Sequence, residues 1–190
     1  MSADLVAQAM ALTKRKRLEG QVSFLVTDAL QLPFSDQEFD VAVSQAILVL
    51  VEDKRRAIQE ALRVVKPGGY LGWVELSWKK PPTTEFLDAV SNVLCAYCIQ
   101  NVHTFQGWEN LFREAGINQL TVQPFSLESG GMVSNSGMRN MLSNEGLINT
   151  GRIMFKYLTN ARIRTRMNTM SQFFKDHADC FGYGIYTGRK

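Results

Sequence analysis

Three polar residues close apolar runs in the first half of the chain: Asp28 after "VSFLVT", Ser44 after "FDVAV" and Glu75 after "YLGWV". In an open parallel sheet, ligands sit outside the carboxyl ends of the strands, so polar side chains at three such ends would face one crevice. A carboxylate accepts hydrogen bonds, and a hydroxyl both donates and accepts. The set therefore suits recognition of a polar ligand edge more than proton transfer by a triad. His103 and His177 are the only histidines, and neither sits at a spacing such as H-x-x-x-H. Cys95 and Cys98 form a C-x-x-C, but no second pair stands at zinc spacing. The apolar residues around them in "LDAVSNVLCAYCIQ" recur at helical spacing, which reads as core thiols. We expect no metal site and no catalytic residue.

Each candidate also has a plainer reading. Asp28 can cap the turn that leads to Pro33, since Asp bonds its own backbone in turns. Ser44 can be a turn hydroxyl and Glu75 an exposed strand end, while Asp40 after Phe39 reads as structural.

Elements that would position these residues follow from periodicity. "SADLVAQAMALTKRKRLEG" predicts a helix with Ser2 as its cap and Gly20 as its stop. "VSFLVTD" and "FDVAVS" predict two strands, apolar on both faces as a covered parallel sheet requires. "EDKRRAIQEALRVVKPGG" predicts a helix capped by Asp53 that ends in a turn at Lys66-Pro67-Gly68-Gly69. The next strand is expected to end at Glu75. The run "AILVLV" at 46–51 suits helix or strand equally. Helices are expected at about 84–101 and over "FQGWENLFREAGI", then strands at "QLTVQPFSLE" and "FGYGIYTGRK". The 130–178 stretch between those last strands predicts a helical insertion.

Composition bounds the function. With 190 residues, 45% of them hydrophobic and 21% charged, the chain reads as one globular domain over 1–190. A net charge of +3 does not argue for nucleic acid. Neither a run of 18 apolar residues nor a signal-peptide order of segments is present, and three cysteines fit a reducing compartment. A cytoplasmic location is the expectation. "TKRKR" reads as the cationic end of a helix. The basic residues from Arg152 to Arg166 also suit a basic amphipathic element able to touch a membrane or an acidic partner.

Taken in order, "VTDALQLPFSDQEFDVAVS", "ALRVVKPGGYLGWVEL", "GWENLFREAGI" and "FGYGIYTGRK" resemble the class I S-adenosylmethionine-dependent methyltransferases. The similarity is to their small-molecule group, which includes ubiquinone, menaquinone and sterol methylating enzymes. It implies an α/β, Rossmann-like methyltransferase sheet of order three, two, one, four, five, seven, six, with helices on both faces and the seventh strand antiparallel. It also implies S-adenosylmethionine as cofactor and a small-molecule acceptor as partner. By the same resemblance, Asp28 would face the adenine amine and the backbone of Ala29 the ring nitrogens. Ser44 and Gln45 would lie near the sulfonium, and Glu75 would face the acceptor.

The family's glycine-rich loop after its first strand has no counterpart in the 190 residues. The resemblance thus aligns residue 1 with the end of the family's second strand and implies an N-terminally truncated sheet. Such a chain would pair its third strand with its fourth, complete the sheet with a second copy, or stay marginal. The implied function is methyl transfer to a small molecule. The alternative is a non-catalytic remnant or assembly module that keeps the scaffold without the cofactor loop.

Overall fold

A computed structural model describes residues 3–93, 101–126 and 150–190, with Leu142 and Leu147 between. Helix α1 spans Ala3–Arg15 and carries Lys14 and Arg15 in its last turn, where cations oppose the negative end of the helix dipole. It ends five residues before Gly20, and Arg17 follows at φ 57.

The expected strand at 22–27 does not form. Those residues join no ladder, and only an isolated bridge joins Asp28 to Gln31. A strand exists through its neighbours, and Val22, Phe24, Leu25 and Val26 lie exposed with no strand beside them. Pairing of this run with the next strand, one of the three ways to close the sheet, is therefore absent.

Strand β1 spans Phe39–Gln45, and a 3-10 turn follows at Leu48–Leu50, resolving the ambiguous 46–51 run. Helix α2, Lys54–Val64, starts on Asp53, whose Oδ1 accepts from Arg56 N at 2.9 Å as expected of its cap. Strand β2 then runs Val65–Trp78. It begins earlier and ends later than the sequence pattern suggests. The Lys-Pro-Gly-Gly segment forms a bulge inside it: Phe39 pairs with Val65, yet Val41 pairs with Tyr70. Gly68 sits at φ 75, and a Cβ on Gly69 would meet Asp40 O at 2.7 Å, so the bulge needs both glycines.

Helix α3 covers Thr84–Val93; residues 94–100 of its expected span, with Cys95 and Cys98, lie outside the described residues, and Asn101 is in a turn. A two-residue strand β3, His103–Thr104, leads into helix α4, Phe105–Glu114, capped by Thr104. Strand β4 is Asn118–Ser126. Residues 150–159 are helical, and helix α5, Ala161–Asp176, follows under an Asn160 cap. Strand β5, Phe181–Arg189, closes the chain.

The sheet order is β1-β2-β5-β4. β1 and β2 are parallel, β3 joins the end of β2 in parallel, and β5 lies antiparallel to both β2 and β4. This is the expected four, five, seven, six portion of the sheet, with its antiparallel last pair. The core gathers where β2 meets β5: Trp73 stacks on Phe112 at 4.6 Å, Trp78 meets Phe181 at 4.7 Å, and Tyr186 shares a 2.9 Å hydrogen bond with Ser77. Along β2, Leu71, Trp73, Glu75 and Ser77 are buried at period two, so they share the covered face.

Candidate functional site

The turn at 28–32 is held from two sides. Asp28 Oδ1 accepts from Leu30 N at 3.0 Å, as an aspartate does when it bonds its own turn. Helix α2 grips the same segment from below. Buried Glu60 accepts from Leu32 N at 2.9 Å, Arg63 donates to Leu32 O at 2.9 Å and to Phe34 O at 2.8 Å, and Arg56 donates to Leu30 O at 3.2 Å. Arg63 and Arg56 also pair with the Glu60 carboxylate at 2.9 and 3.1 Å. The Arg63 hydrogen bond leads the causes that hold the Glu60 carboxyl down at about 2, against the opposing effect of burial. Glu60 and Arg63 escaped the sequence reading. Glu60 adjoins the apolar stripe of Ala57, Ile58 and Ala61, so an acid at the edge of that stripe was the available signal.

A second anchor lies under the turn after β1. Ala46 N donates to Val74 O at 2.8 Å, tying the end of β1 to β2. Leu48 N donates to Glu75 Oε1 at 3.1 Å, and the backbone N–H groups of Ile47 and Val49 also favour that carboxylate. Glu75 is therefore neither an exposed strand end nor the last residue of its strand. It is fully buried, in phase with Leu71 and Trp73, and its Oε2 takes no hydrogen bond among the described residues. Burial pushes its carboxyl up, only partly opposed by the three backbone groups and by Lys54. Lys54, itself buried, donates to Val51 O and Asn101 Oδ1, both at 3.0 Å.

Between these anchors lies a cavity of about 170 Å³ lined by Ala29, Leu32, Ser44, Ile47, Leu48 and Trp73, among others. It opens at the carboxyl end of β1 and beside the middle of β2, at Gly72 and Trp73, the two strands running the same way. Ala29 and Ser44 thus meet in one cavity, with Ser44 opposite Trp73 in the ladder. Asp28 and Gln45 are exposed and do not line it, and Glu75 stands behind it, holding Leu48. Chemically the cavity is an apolar slot with one hydroxyl. An apolar cavity of about 150 Å³ holds a benzene ring, whereas whole-ligand pockets run to about 300–1,000 Å³. The slot fits one planar ring and little else.

The remaining polar groups serve packing. His103 meets the Trp108 ring at 4.7 Å with a 54° tilt, and its imidazole pKa is pushed down by burial and by Lys54. His177 stacks on Phe173 at 4.6 Å and on Phe86 at 5.0 Å. Among the described residues no group of three His, Cys, Asp or Glu side chains could hold a metal ion, and no helix is long and apolar enough to cross a membrane.

Residues 1–72 match the family described as "Methyltransferase domain". The match covers 72 of the 190 residues and supports the resemblance to the class I S-adenosylmethionine-dependent methyltransferases. Among curated relatives, an uncharacterized protein of Haemophilus influenzae is 27% identical over 173 residues, covering 90% of this chain and 65% of its own. Norajmaline N-methyltransferase of Rauvolfia serpentina is 29% identical over 117 residues, covering 57% of this chain and 40% of its own. The chain thus spans less than two thirds of the length of either relative. A solved structure of a putative sarcosine dimethylglycine methyltransferase from Galdieria sulphuraria superimposes on all of this chain and on 67% of its own, with a TM-score of 0.72 at 15% identity. That likeness shows the fold, a Rossmann-like methyltransferase sheet.

Proposed function

We infer that this chain supplies half of an S-adenosylmethionine site and serves methyl transfer to a small-molecule acceptor. The observation that carries the reading is the cavity in which Ala29 and Ser44 meet, at the carboxyl end of β1 and against Trp73 of its parallel neighbour β2. Its volume and apolar lining fit the adenine ring of the cofactor. The backbone of Ala29 would hold the ring edge, with the Asp28 carboxylate beside the exocyclic amine. Ser44 and Gln45 would lie toward the sulfonium, and Glu75 acts on the acceptor side by fixing the turn at 47–49 rather than by touching it. When bound, the cofactor supplies the electrophilic methyl group. The chain's own work is alignment, since an in-line displacement gains chiefly from proximity and orientation. In this reading residues 1–190 act as one cytoplasmic domain, with 130–178 as a cap over the acceptor.

A specific observation favours a second reading, an assembly module that needs another chain. The outer edge of β1 carries Val41 and Val43, 52% and 81% exposed, with no strand beside it among the described residues. A second copy, or a segment outside these 190 residues, would complete the sheet there. Either would also supply what the slot does not hold, the ribose and methionine parts of the cofactor.

Calorimetric titration of S-adenosylmethionine tests both readings. The 190-residue chain alone is expected to bind in the millimolar range, about 4 kcal/mol, because the adenine slot contributes only part of the contacts. Fusing a segment with two strands and a glycine-rich loop ahead of residue 1 is expected to raise affinity by orders of magnitude, and Ala29→Leu, which fills the slot, to abolish the gain. Micromolar binding by the monomer would sink the half-site reading. Micromolar binding only by a dimer would favour the assembly module.

A further inference from the structure

Residues 146–175 contain no aspartate or glutamate and six cations, Arg152, Lys156, Arg162, Arg164, Arg166 and Lys175, in a chain whose net charge is +3. The structure arranges them on two joined helical segments. Tyr157 donates to Asn168 Oδ1 at 2.9 Å and Arg164 donates to Leu158 O at 2.9 Å, fixing residues 150–159 against α5. The inner face of the first segment is Thr150, Ile153, Met154 and Tyr157, all at least partly buried. Its outer face is of two kinds. Phe155 and Leu158, 67% and 64% exposed, form an apolar stripe, and Arg152 and Lys156, one turn apart, form a basic stripe beside it. On α5, Arg162 and Arg166 repeat the one-turn spacing and are exposed. Among the described residues none of these four cations takes part in an ion pair, although most exposed arginines of α2 and α4 do.

Two large apolar side chains left in water beside cations with no ion-pair partner among the described residues match the two halves of a bilayer surface: acyl chains below and phosphate headgroups above. We propose that residues 150–166 form a peripheral docking surface for an anionic phospholipid bilayer, with Phe155 and Leu158 entering the headgroup boundary and Arg152, Lys156, Arg162 and Arg166 lying against the phosphates. A nucleic acid would satisfy the cations but would leave Phe155 and Leu158 without a role, because phosphate contacts are made by charge and hydrogen bonding. The surface is independent of the cofactor slot, so it stands whether or not the chain transfers methyl groups.

Co-sedimentation of the 190-residue chain with vesicles tests it, using phosphatidylcholine alone and phosphatidylcholine mixed with phosphatidylserine, at low and high salt. Binding is expected to the mixed vesicles only and to weaken with salt. Lys156→Gln and Arg152→Gln should each weaken it about fivefold, the worth of one basic residue near such a surface. Phe155→Ser should weaken it about tenfold or more through lost apolar burial. Circular dichroism of each exposed-site variant checks that the fold is intact. Absence of binding at low salt, equal binding to both vesicle types, or undiminished binding by Phe155→Ser would overturn the proposal. So would binding to a nucleic acid duplex that the mixed vesicles fail to compete away.

Discussion

The two sides of the sheet are built differently. β2 and β5 are paired on both edges, matching each other residue for residue from Tyr70–Arg189 to Trp78–Phe181, and β4 closes that side as an edge strand on β5. There Phe112, Phe181 and Tyr186 are fully buried. From β1 outward the same kind of apolar residue stands in water: Val43 is 81% exposed, and Leu25 and Val26 are each 50% exposed. Composition does not separate the two sides, since both are rich in β-branched and aromatic residues. Neighbours do. A strand side chain is buried only when strands or helices cover it, and the side that carries the Ala29–Ser44 cavity is the side with fewer of them.

That contrast fixes where a substitution should matter most. Phe112→Ala removes a ring packed on Trp73 and against Tyr186, and is expected to cost about 3–5 kcal/mol. Val43→Ala on the open edge is expected to change stability by less than about 0.5 kcal/mol. Urea denaturation of both variants measures the difference. Costs of equal size would mean that the β1 edge is covered in solution, and a Val43 cost that grows with protein concentration would identify a second copy as the cover.

The clamp between α2 and the 28–32 turn should be the next largest effect, because it is what holds the open side in place. Arg63→Ala loses bonds to two backbone carbonyls and leaves buried Glu60 with Arg56 as its remaining cation, for an expected cost of about 1–3 kcal/mol. The pH dependence has a definite sign. Glu60 is held down at about 2 from an ordinary 4.5, so its stabilisation is present above pH 4.5 and is lost as pH falls from there toward 2. Thermal melts of Glu60→Gln should converge on those of the parent at the acid end. If the gap between them stays constant down to pH 2, the clamp contributes nothing through its charge.

Much of this arrangement was legible in the residues, and the failures have physical causes. The helices with strong caps and clear stripes, such as Asp53 leading into α2, were readable because cap and periodicity are local properties. The antiparallel closing strands and the sheet order agreed with the family resemblance. "VSFLVT" misled because β-branched and aromatic content reports fitness for a sheet, and the partner strand that would realise it is a non-local fact. Lys-Pro-Gly-Gly read as a stop, although two glycines can equally make a bulge within a strand. For the site, Ala29 and Ser44 share a cavity, whereas Asp28 spends one carboxylate oxygen on its own turn and Glu75 faces inward. A polar residue at the end of an apolar run reads as exposed. Only its phase with Leu71 and Trp73 marked Glu75 as buried.

Glu75 gives the smallest effect and the sharpest test of how the open side is held, since its carboxyl lies under the turn that walls the slot. Burial raises its pKa above 4.5, so the charged form costs stability, and the cost grows as pH rises from 4.5 until the group ionises in the folded state. Glu75→Gln keeps an acceptor for Leu48 N and has no charge to bury. Near pH 4, where the parent carboxyl is already largely neutral, the two proteins should differ by less than about 0.5 kcal/mol. As pH rises toward neutral, the variant should become the more stable of the two, and the gap should then level off. Denaturation midpoints of both proteins across that range measure the sign. A variant that instead loses ground as pH rises would show that the backbone N–H groups of the 47–49 turn and Lys54 outweigh desolvation. The carboxylate would then be stabilised where it lies, and the wall of the slot would rest on its charge.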